Sequence, residues 1–255
     1  MNPVAIIPVY NHGDAVGAVV ATLRGYGLPV ILVDDGSHAA CARTLAELVA
    51  ASSFPDASSL FLLTHPENRG KGAAVQTGLA YALTLGASHA LQVDADGQHD
   101  LGAVPAFLEA AARHPEAVIA GCPHYDESVP KGRLYGRYLT HVWVWINTLS
   151  RRIEDSMCGF RVYPLQAVAP LLPVLRHAPR MDFDPEILVR LDWAGVAIVN
   201  LPVAVRYPED GLSHFQPWRD NLRLSAMHAR LFFGMLRRFF RLLARHLARC
   251  APQVK

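Results

Sequence analysis

A rhythm in the first half of the chain constrains the fold most. Short apolar runs recur as "VAIIPV" (4–9), "VILV" (30–33), "LFLL" (60–63), "HALQV" (89–93) and "AVIAG" (117–121). Each is short, aliphatic and bounded by polar or turn residues, so each reads as a buried strand. Between them lie stretches of helical period, at about 13–24, 40–51, 70–85 and 101–113. Strands that alternate with helices at this spacing form βαβ units. The expected fold is α/β, with a mostly parallel central sheet and helices on both faces. Ligands of such sheets bind beyond the carboxyl ends of the strands, so the chemistry should follow the apolar runs directly.

Polar clusters stand there: "YNHGD" after the first run, "DDGS" after the second and "DADGQHD" after the fourth. In "DADGQHD", Asp94, Asp96 and Gln98 share a parity, and in an extended segment they project to one side. Two carboxylates and an amide oxygen are hard ligands suited to Mg²⁺ or Mn²⁺, leaving positions for water and phosphate oxygens. The plainer alternative is a solvated acidic turn. In "VDDGS" (33–37), a strand-end carboxylate can accept hydrogen bonds from a ribose or base, although Gly36 and Ser37 also suit an ordinary tight turn. "NRGKGAAVQTG" (68–78) matches neither the P-loop nor the dinucleotide fingerprint. What remains is a helix N-terminus carrying Lys71, able to face a diphosphate or merely to start a helix.

The second half loses the rhythm. "CPHYDESVPKGRLYG" reads as loop, residues 138–150 as an aromatic helix, and "DSMCGFRVYP" as a turn into a short strand. "DFDPEILVRLDWAG" reads as a helix with Pro185 in its first turn and Gly195 at its end, and "VAIVNLPVAVRY" alternates like a strand. Asp182, Asp184 and Glu186 cluster at that helix start. Acids there complement the helix dipole; the sharper reading is a general base aimed at an acceptor hydroxyl.

The chain has 255 residues, 51% hydrophobic and 18% charged, enough for a substantial core. A formal net charge of +2 gives no global signal for nucleic acid. The four cysteines lack CxxC or zinc spacing and read as free thiols. The N-terminus lacks signal-peptide character, and no run reaches the ~18 apolar residues of a membrane span. A cytoplasmic protein is expected. From Arg219 onward, however, arginines accumulate against a single acid, Asp220. Residues 219–249 read as one long helix. Arg223, Arg230, Arg237, Arg241 and Arg245 form a stripe, and Phe232, Phe233, Leu236, Phe239, Phe240, Leu243 and Leu247 supply an apolar side. A basic amphipathic helix fits an anionic membrane surface. Packing on the domain and a homodimer interface are the other two readings.

The pieces "IPVYN", "VDDGS", "NRGKGAAVQTG", "DADGQH", "CGFRVY", "FDPEILVR" and "VNLPVAVRY…DGLSHF" stand in an order that resembles the inverting family 2 glycosyltransferases of GT-A fold. More narrowly, the chain is similar to the polyprenyl-phosphate (dolichol-phosphate) mannose synthase branch. The resemblance covers about residues 4 to 215, taken as the catalytic domain, with 216–255 as the basic tail. It implies nucleotide-sugar contacts from Pro8, Tyr10, Val33, Asp35, Lys71, Asp94, Ala95 and Asp96. It implies metal ligation of Mg²⁺ or Mn²⁺ by Asp94, Asp96 and Gln98. Arg161 and Glu186 match acceptor-side positions. Two departures lie on that side: Cys122, Pro123 and His124 follow Gly121 where an arginine is expected, and His214 replaces a lysine. Arg206 is a displaced candidate for the phosphate-holding arginine, and Arg133 or Arg137 are candidates to compensate.

A phosphate acceptor needs no base, whereas a hydroxyl does. The acid at position 184 therefore favours a hydroxyl acceptor, with Asp184 or Asp182 as base. The expected activity is metal-dependent transfer of a sugar from a UDP- or GDP-linked donor to a lipid-linked or amphiphilic acceptor. The expected place is the inner face of the membrane. The first alternative is a polyprenyl-phosphate sugar synthase. An NAD-dependent oxidoreductase is disfavoured by the absent glycine fingerprint, and a nucleotidyltransferase by the absent N-terminal glycine-rich loop. A non-catalytic membrane-surface protein is the alternative from another class.

Overall fold

The computed structural model describes residues 1–52, 59–124, 131–205 and 217–250. Every apolar run is a strand: β1 (Pro3–Val9), β2 (Val30–Asp34), β3 (Leu60–Thr64), β4 (His89–Gln92) and β5 (Val118–His124). Between them run α1 (Gly13–Gly25), α2 (Ala39–Ala51), α3 (Lys71–Thr84) and α4 (Val104–Arg113). Strand parity sorts the core into two layers. Val4 and Ile6 of β1 pack with α3, and Ala5, Ile7 and Val9 pack with α1 on the opposite face.

The seven-stranded sheet has the order β3-β2-β1-β4-β6-β5-β7, completed by β6 (Arg161–Pro164) and β7 (Ile198–Ala204). All pairings are parallel except those of β6, which runs antiparallel between β4 and β5. A four-residue run such as "RVYP" signals a strand but not its direction. The reversal matters because Arg161, the first residue of β6, pairs with Gln92, the last of β4. An antiparallel strand thus delivers its starting residue to the ligand-binding edge of a parallel sheet.

The second half differs from expectation in three places. Helix α5 spans Lys131–Thr148, so "KGRLYG" is helical rather than loop. The short helices α6 (Leu165–Val168) and α7 (Leu172–Leu175) carry no amphipathic period long enough to read. Helix α8 (Phe183–Ala194) closes as expected on Gly195, whose φ of 95° is left-handed.

The third difference is the tail, which is two helices rather than one: α9 (Pro217–Leu236) and α10 (Phe239–Cys250). The chain bends around Trp193. The Arg238 guanidinium lies over the Trp193 ring at 4.7 Å and donates to the Gly234 carbonyl at 2.9 Å. Gly234 is required there, because a Cβ would meet the indole at 2.7 Å. Met227, Leu231 and Met235 of α9 are buried in the core layer shared with α3, α5 and α8. Among the described residues no helix is long and apolar enough to cross a membrane.

Candidate active site

Where the order of the sheet reverses, β1 stands between β2 and β4, and the segments after these strands form one crevice. At its centre lies Lys71, at the start of α3. Its ammonium sits 2.8 and 2.9 Å from the two oxygens of Asp94 and 3.3 Å from Oδ2 of Asp184. Burial works against the lysine charge, but the Asp184 and Asp94 carboxylates outweigh it and hold the pKa above the ordinary lysine value. Burial likewise opposes ionisation of Asp94, yet Lys71 and, more weakly, His99 and Arg161 bring its pKa below the usual carboxylate value. Asp96 is raised instead, first by burial and then by the neighbouring Asp94 charge.

Several glycines and buried groups fix this triad. Gly159, in the turn before β6, lies against it so closely that a Cβ would stand 2.7 Å from both Asp94 oxygens and from the Lys71 nitrogen. Asp184 enters from the first turn of α8. It accepts from Gln92 Nε2 at 3.2 Å and lies 3.7 Å from the Arg161 guanidinium. Arg161 is fully buried and donates to the Asp184 carbonyl at 2.7 Å, to Ser156 O at 2.9 Å and to Tyr163 Oη at 3.3 Å. Tyr163 donates onward to Gln92 Oε1 at 3.1 Å. Sequence reading passed over Gln92 and Tyr163, although a glutamine inside "HALQV" was the available signal.

The structure separates the residues expected here into three groups. Lys71, Asp94 and Asp184 meet directly. Ala95 is buried and Asp96 half-buried beside them, and the Gln98 backbone donates to Asp96 Oδ1 at 3.0 Å. Pro8 faces Val33 in register, and Tyr10 follows β1 at the crevice edge.

A second group is engaged inside the protein. Both Asp35 oxygens are occupied: Oδ1 meets His65 Nδ1 at 2.7 Å and the Arg69 amide at 2.9 Å, and Oδ2 meets the Gly70 amide at 2.7 Å. The carboxylate expected to touch the nucleotide is a brace between two loops. The same bonds alter the reading of the α3 N-terminus, whose Ala73 amide also goes to Pro179 O at 2.8 Å. Of the backbone donors expected to face a diphosphate, the Ala73 amide and the two amides just before the helix are therefore taken. Glu186 is fully buried between Arg190 and Arg230, each at 2.6 Å, and ties α8 to the tail. Arg161, expected on the acceptor side, holds Asp184 and the 156 turn instead. Arg137 forms a bidentate pair with Asp155 at 2.6 Å, and Asp155 in turn accepts from the Met157 and Cys158 amides. That pair pins the turn carrying Gly159.

Asp182 forms the third group. It accepts from the Arg180 amide at 3.0 Å, and burial raises its pKa without an ion pair among the described residues. Arg206 and His214 lie outside the described residues.

The donor set can be tested for a cation. Asp94 Oδ1 is buried, and its near neighbour is the Lys71 ammonium at 2.8 Å, out of line for a hydrogen bond. An oxygen held by an ion pair alone is a ligand position that a cation could share or take over. Among the described residues no three His, Cys, Asp or Glu side chains converge as a metal cluster. A cation would rest on two carboxylates and the Gln98 amide, completed by water and phosphate oxygens, which is the hard, incomplete coordination that Mg²⁺ or Mn²⁺ accepts. The residues fit.

Comparison with known proteins bears on the fold and the family. The chain is 27% identical to a dolichyl-phosphate beta-glucosyltransferase of Dictyostelium discoideum, over 83% of this chain and 64% of that one. It is 31% identical to the Trichomonas vaginalis ALG5D dolichyl-phosphate beta-glucosyltransferase, over 63% and 49%. It thus spans about half to two thirds of the length of these relatives. A UDP-N-acetylglucosamine–dolichyl-phosphate N-acetylglucosaminyltransferase of Methanococcus voltae is 26% identical over 80% and 85%. Among solved structures, mannosyl-3-phosphoglycerate synthase of Rubrobacter xylanophilus shares the fold, with a TM-score of 0.59, 16% identity and coverage of 94% and 75%. A mannosyltransferase of Pyrobaculum calidifontis in complex with GDP-Man and Mn²⁺ also scores 0.59, at 15% identity and coverage of 92% and 64%. The sheet and its covering helices are the GT-A fold. The "Glycosyl transferase family 2" model matches residues 4–167, from β1 into α6, and the chain belongs to that family of glycosyltransferases.

Proposed function

We propose that this glycosyltransferase moves a sugar from a nucleoside-diphosphate donor to the phosphate of a polyprenyl-type lipid, with a divalent cation, at the cytoplasmic membrane surface. One observation carries the choice of acceptor. The Asp184 carboxylate is a counter-ion between Lys71 and Arg161, and Glu186 is locked between two arginines. Acids held this way are poorly placed to take a proton from a hydroxyl, and a phosphate acceptor is already an anion. The dolichyl-phosphate names of the relatives support the same reading. It replaces the hydroxyl acceptor favoured by sequence.

In this reading Asp94, Asp96 and Gln98 hold the cation, which when bound neutralises the departing nucleoside diphosphate. Lys71 adds a fixed positive charge beside the diphosphate. Gln92, Tyr163 and Arg161 hold Asp184, and through it Lys71, in place. An acceptor phosphate oxygen forms the new bond to the anomeric carbon as the bond to the diphosphate breaks on the opposite face.

The membrane part rests on α9, which is apolar on two opposite sides. Its inner side is the buried row described above. Its outer side exposes Trp218, Leu222, Phe233 and Leu236 at helical spacing, and α10 adds Phe240; Trp218 is 91% and Phe240 84% exposed. Arg219 and Arg223, four residues apart, lie on one flank with Arg230, which also pairs with Glu186, and Arg237 follows the end of the helix. Exposed Leu139, Trp143 and Ile146 of the neighbouring α5 extend the apolar area. Such a surface suits an anionic leaflet.

Purified protein given labelled UDP-glucose or GDP-mannose should glycosylate polyprenyl phosphate and leave polyprenol unlabelled. Label on polyprenol would overturn the acceptor assignment. Asp182 favours that second reading, since its buried carboxylate has no ion pair among the described residues and burial raises its pKa; Asp182→Asn should then abolish transfer to the alcohol. Binding to phosphatidylglycerol vesicles, weakened by salt, should accompany the activity. A monodisperse dimer that ignores vesicles would assign the apolar face to a second copy.

A further inference from the structure

We propose that Lys71 is a resident cation of the donor site, competing with the divalent ion for Asp94 and thereby making metal binding depend on the nucleoside diphosphate. The inference rests on the reading of Asp94 as a metal ligand. It starts from the placement of the ammonium, which straddles both Asp94 oxygens at 2.8 and 2.9 Å with Asp184 at 3.3 Å on its other side.

Lys71 is not a mobile surface lysine that happens to touch an acid. Its backbone neighbours are immobilised. The Arg69 and Gly70 amides are held by Asp35, and the Ala73 amide by Pro179. Gly70 and Gly72 press on the 178–183 segment so closely that a Cβ would meet Pro179 O at 2.6 Å and Phe183 Cβ at 2.5 Å. Gly159 covers the ion pair from the β6 side.

A dication arriving at Asp94 alone meets this fixed positive charge at close range, where the surroundings screen poorly. A diphosphate arriving with it supplies the negative charge that lets both cations stay. Lys71 can then pair with phosphate oxygens while keeping Asp184. The metal and the nucleotide become coupled ligands, each raising the affinity for the other by the same factor. Free metal does not load the site, and the carboxylates are not left bare between turnovers.

The test is Mn²⁺ binding to the full chain, followed by electron paramagnetic resonance or calorimetry, with and without UDP or GDP. The wild type should bind Mn²⁺ weakly alone and at least about tenfold more tightly with one nucleotide. Lys71→Gln should bind Mn²⁺ alone about tenfold more tightly than wild type and lose most of the nucleotide coupling. Asp184→Asn leaves Asp94 as the one carboxylate partner of Lys71 among the described residues, and should shift metal-only affinity the opposite way, to weaker binding. These two opposite shifts separate competition from general damage to the site. Unchanged metal-only affinity in Lys71→Gln, with wild-type coupling intact, overturns the inference and leaves the metal reading standing. Absence of Mn²⁺ binding in all forms, even with nucleotide, overturns both.

Discussion

The Lys71 crevice and helix α9 treat charge and apolar surface in opposite ways. In the crevice, charged groups are buried or half-buried and matched. Lys71, Asp94, Asp184 and Arg161 share partners, and glycines let backbone close over them. On α9, apolar groups are exposed and unmatched on one side, while the other side is ordinary core. Burying charge is costly unless geometry is fixed, so the crevice is where the fold tolerates no movement. Leaving Trp218, Leu222 and Phe233 in water is unfavourable for a free protein, so that face fits a surface the protein meets only in place.

Substitutions can break this contrast, the largest effects first. Asp94→Asn removes the charge facing Lys71 and proposed to hold the cation, and transfer should fall about 10³-fold with the fold intact by circular dichroism. Retention of more than a tenth of the activity would place the catalytic charge elsewhere. Leu231→Ala on the inner face of α9 should cost about 3 kcal/mol in urea unfolding. Combined Trp218→Ala, Leu222→Ala and Phe233→Ala on the outer face should leave the unfolding midpoint unchanged and weaken vesicle binding about tenfold. If the outer triple variant unfolds as easily as Leu231→Ala, the two faces are not distinct.

The smallest effect concerns pH. His228 of α9 is buried against Asn147 and Trp143, and burial lowers its pKa from 6.5 to about 4. The unfolded chain binds this proton at higher pH than the folded one. The neutral histidine therefore contributes full stability above about pH 6.5, and the contribution is lost as pH falls from there toward 4. Stability should drop by about 3 kcal/mol over that window, and His228→Gln should flatten the drop. An unaltered pH slope in His228→Gln would assign the loss to other groups.

The parallel half of the sheet was legible because buried strands have a period and their ends carry the polar residues. The Asp94–Asp96 cluster was found for the same reason. What escaped depends on contacts distant in sequence. Nothing near Asp35 signals that its oxygens are filled by the Arg69 and Gly70 amides. Glu186 reads like any helix-start acid until Arg230, from α9, arrives beside it. The direction of β6, which carries Arg161 to Gln92, is a tertiary outcome. Phe233 and Leu236 of the outer stripe of α9 were visible as apolar residues, but Trp218 and Leu222 were not singled out, and α9's division into two opposite faces required knowing which face is packed. The break at Arg237–Arg238 required Trp193, from another helix.

The chemical linkage of the lipid product tests the central claim most directly. The protein can be incubated with labelled UDP-glucose or GDP-mannose, Mn²⁺ and a total polyprenyl lipid extract, and the labelled lipid exposed to mild acid. A sugar joined through phosphate is released under these conditions and leaves a lipid with the mass of the polyprenyl phosphate. Label that survives mild acid on a lipid with the mass of a glycosylated alcohol would contradict the phosphate acceptor and return the general base to the mechanism.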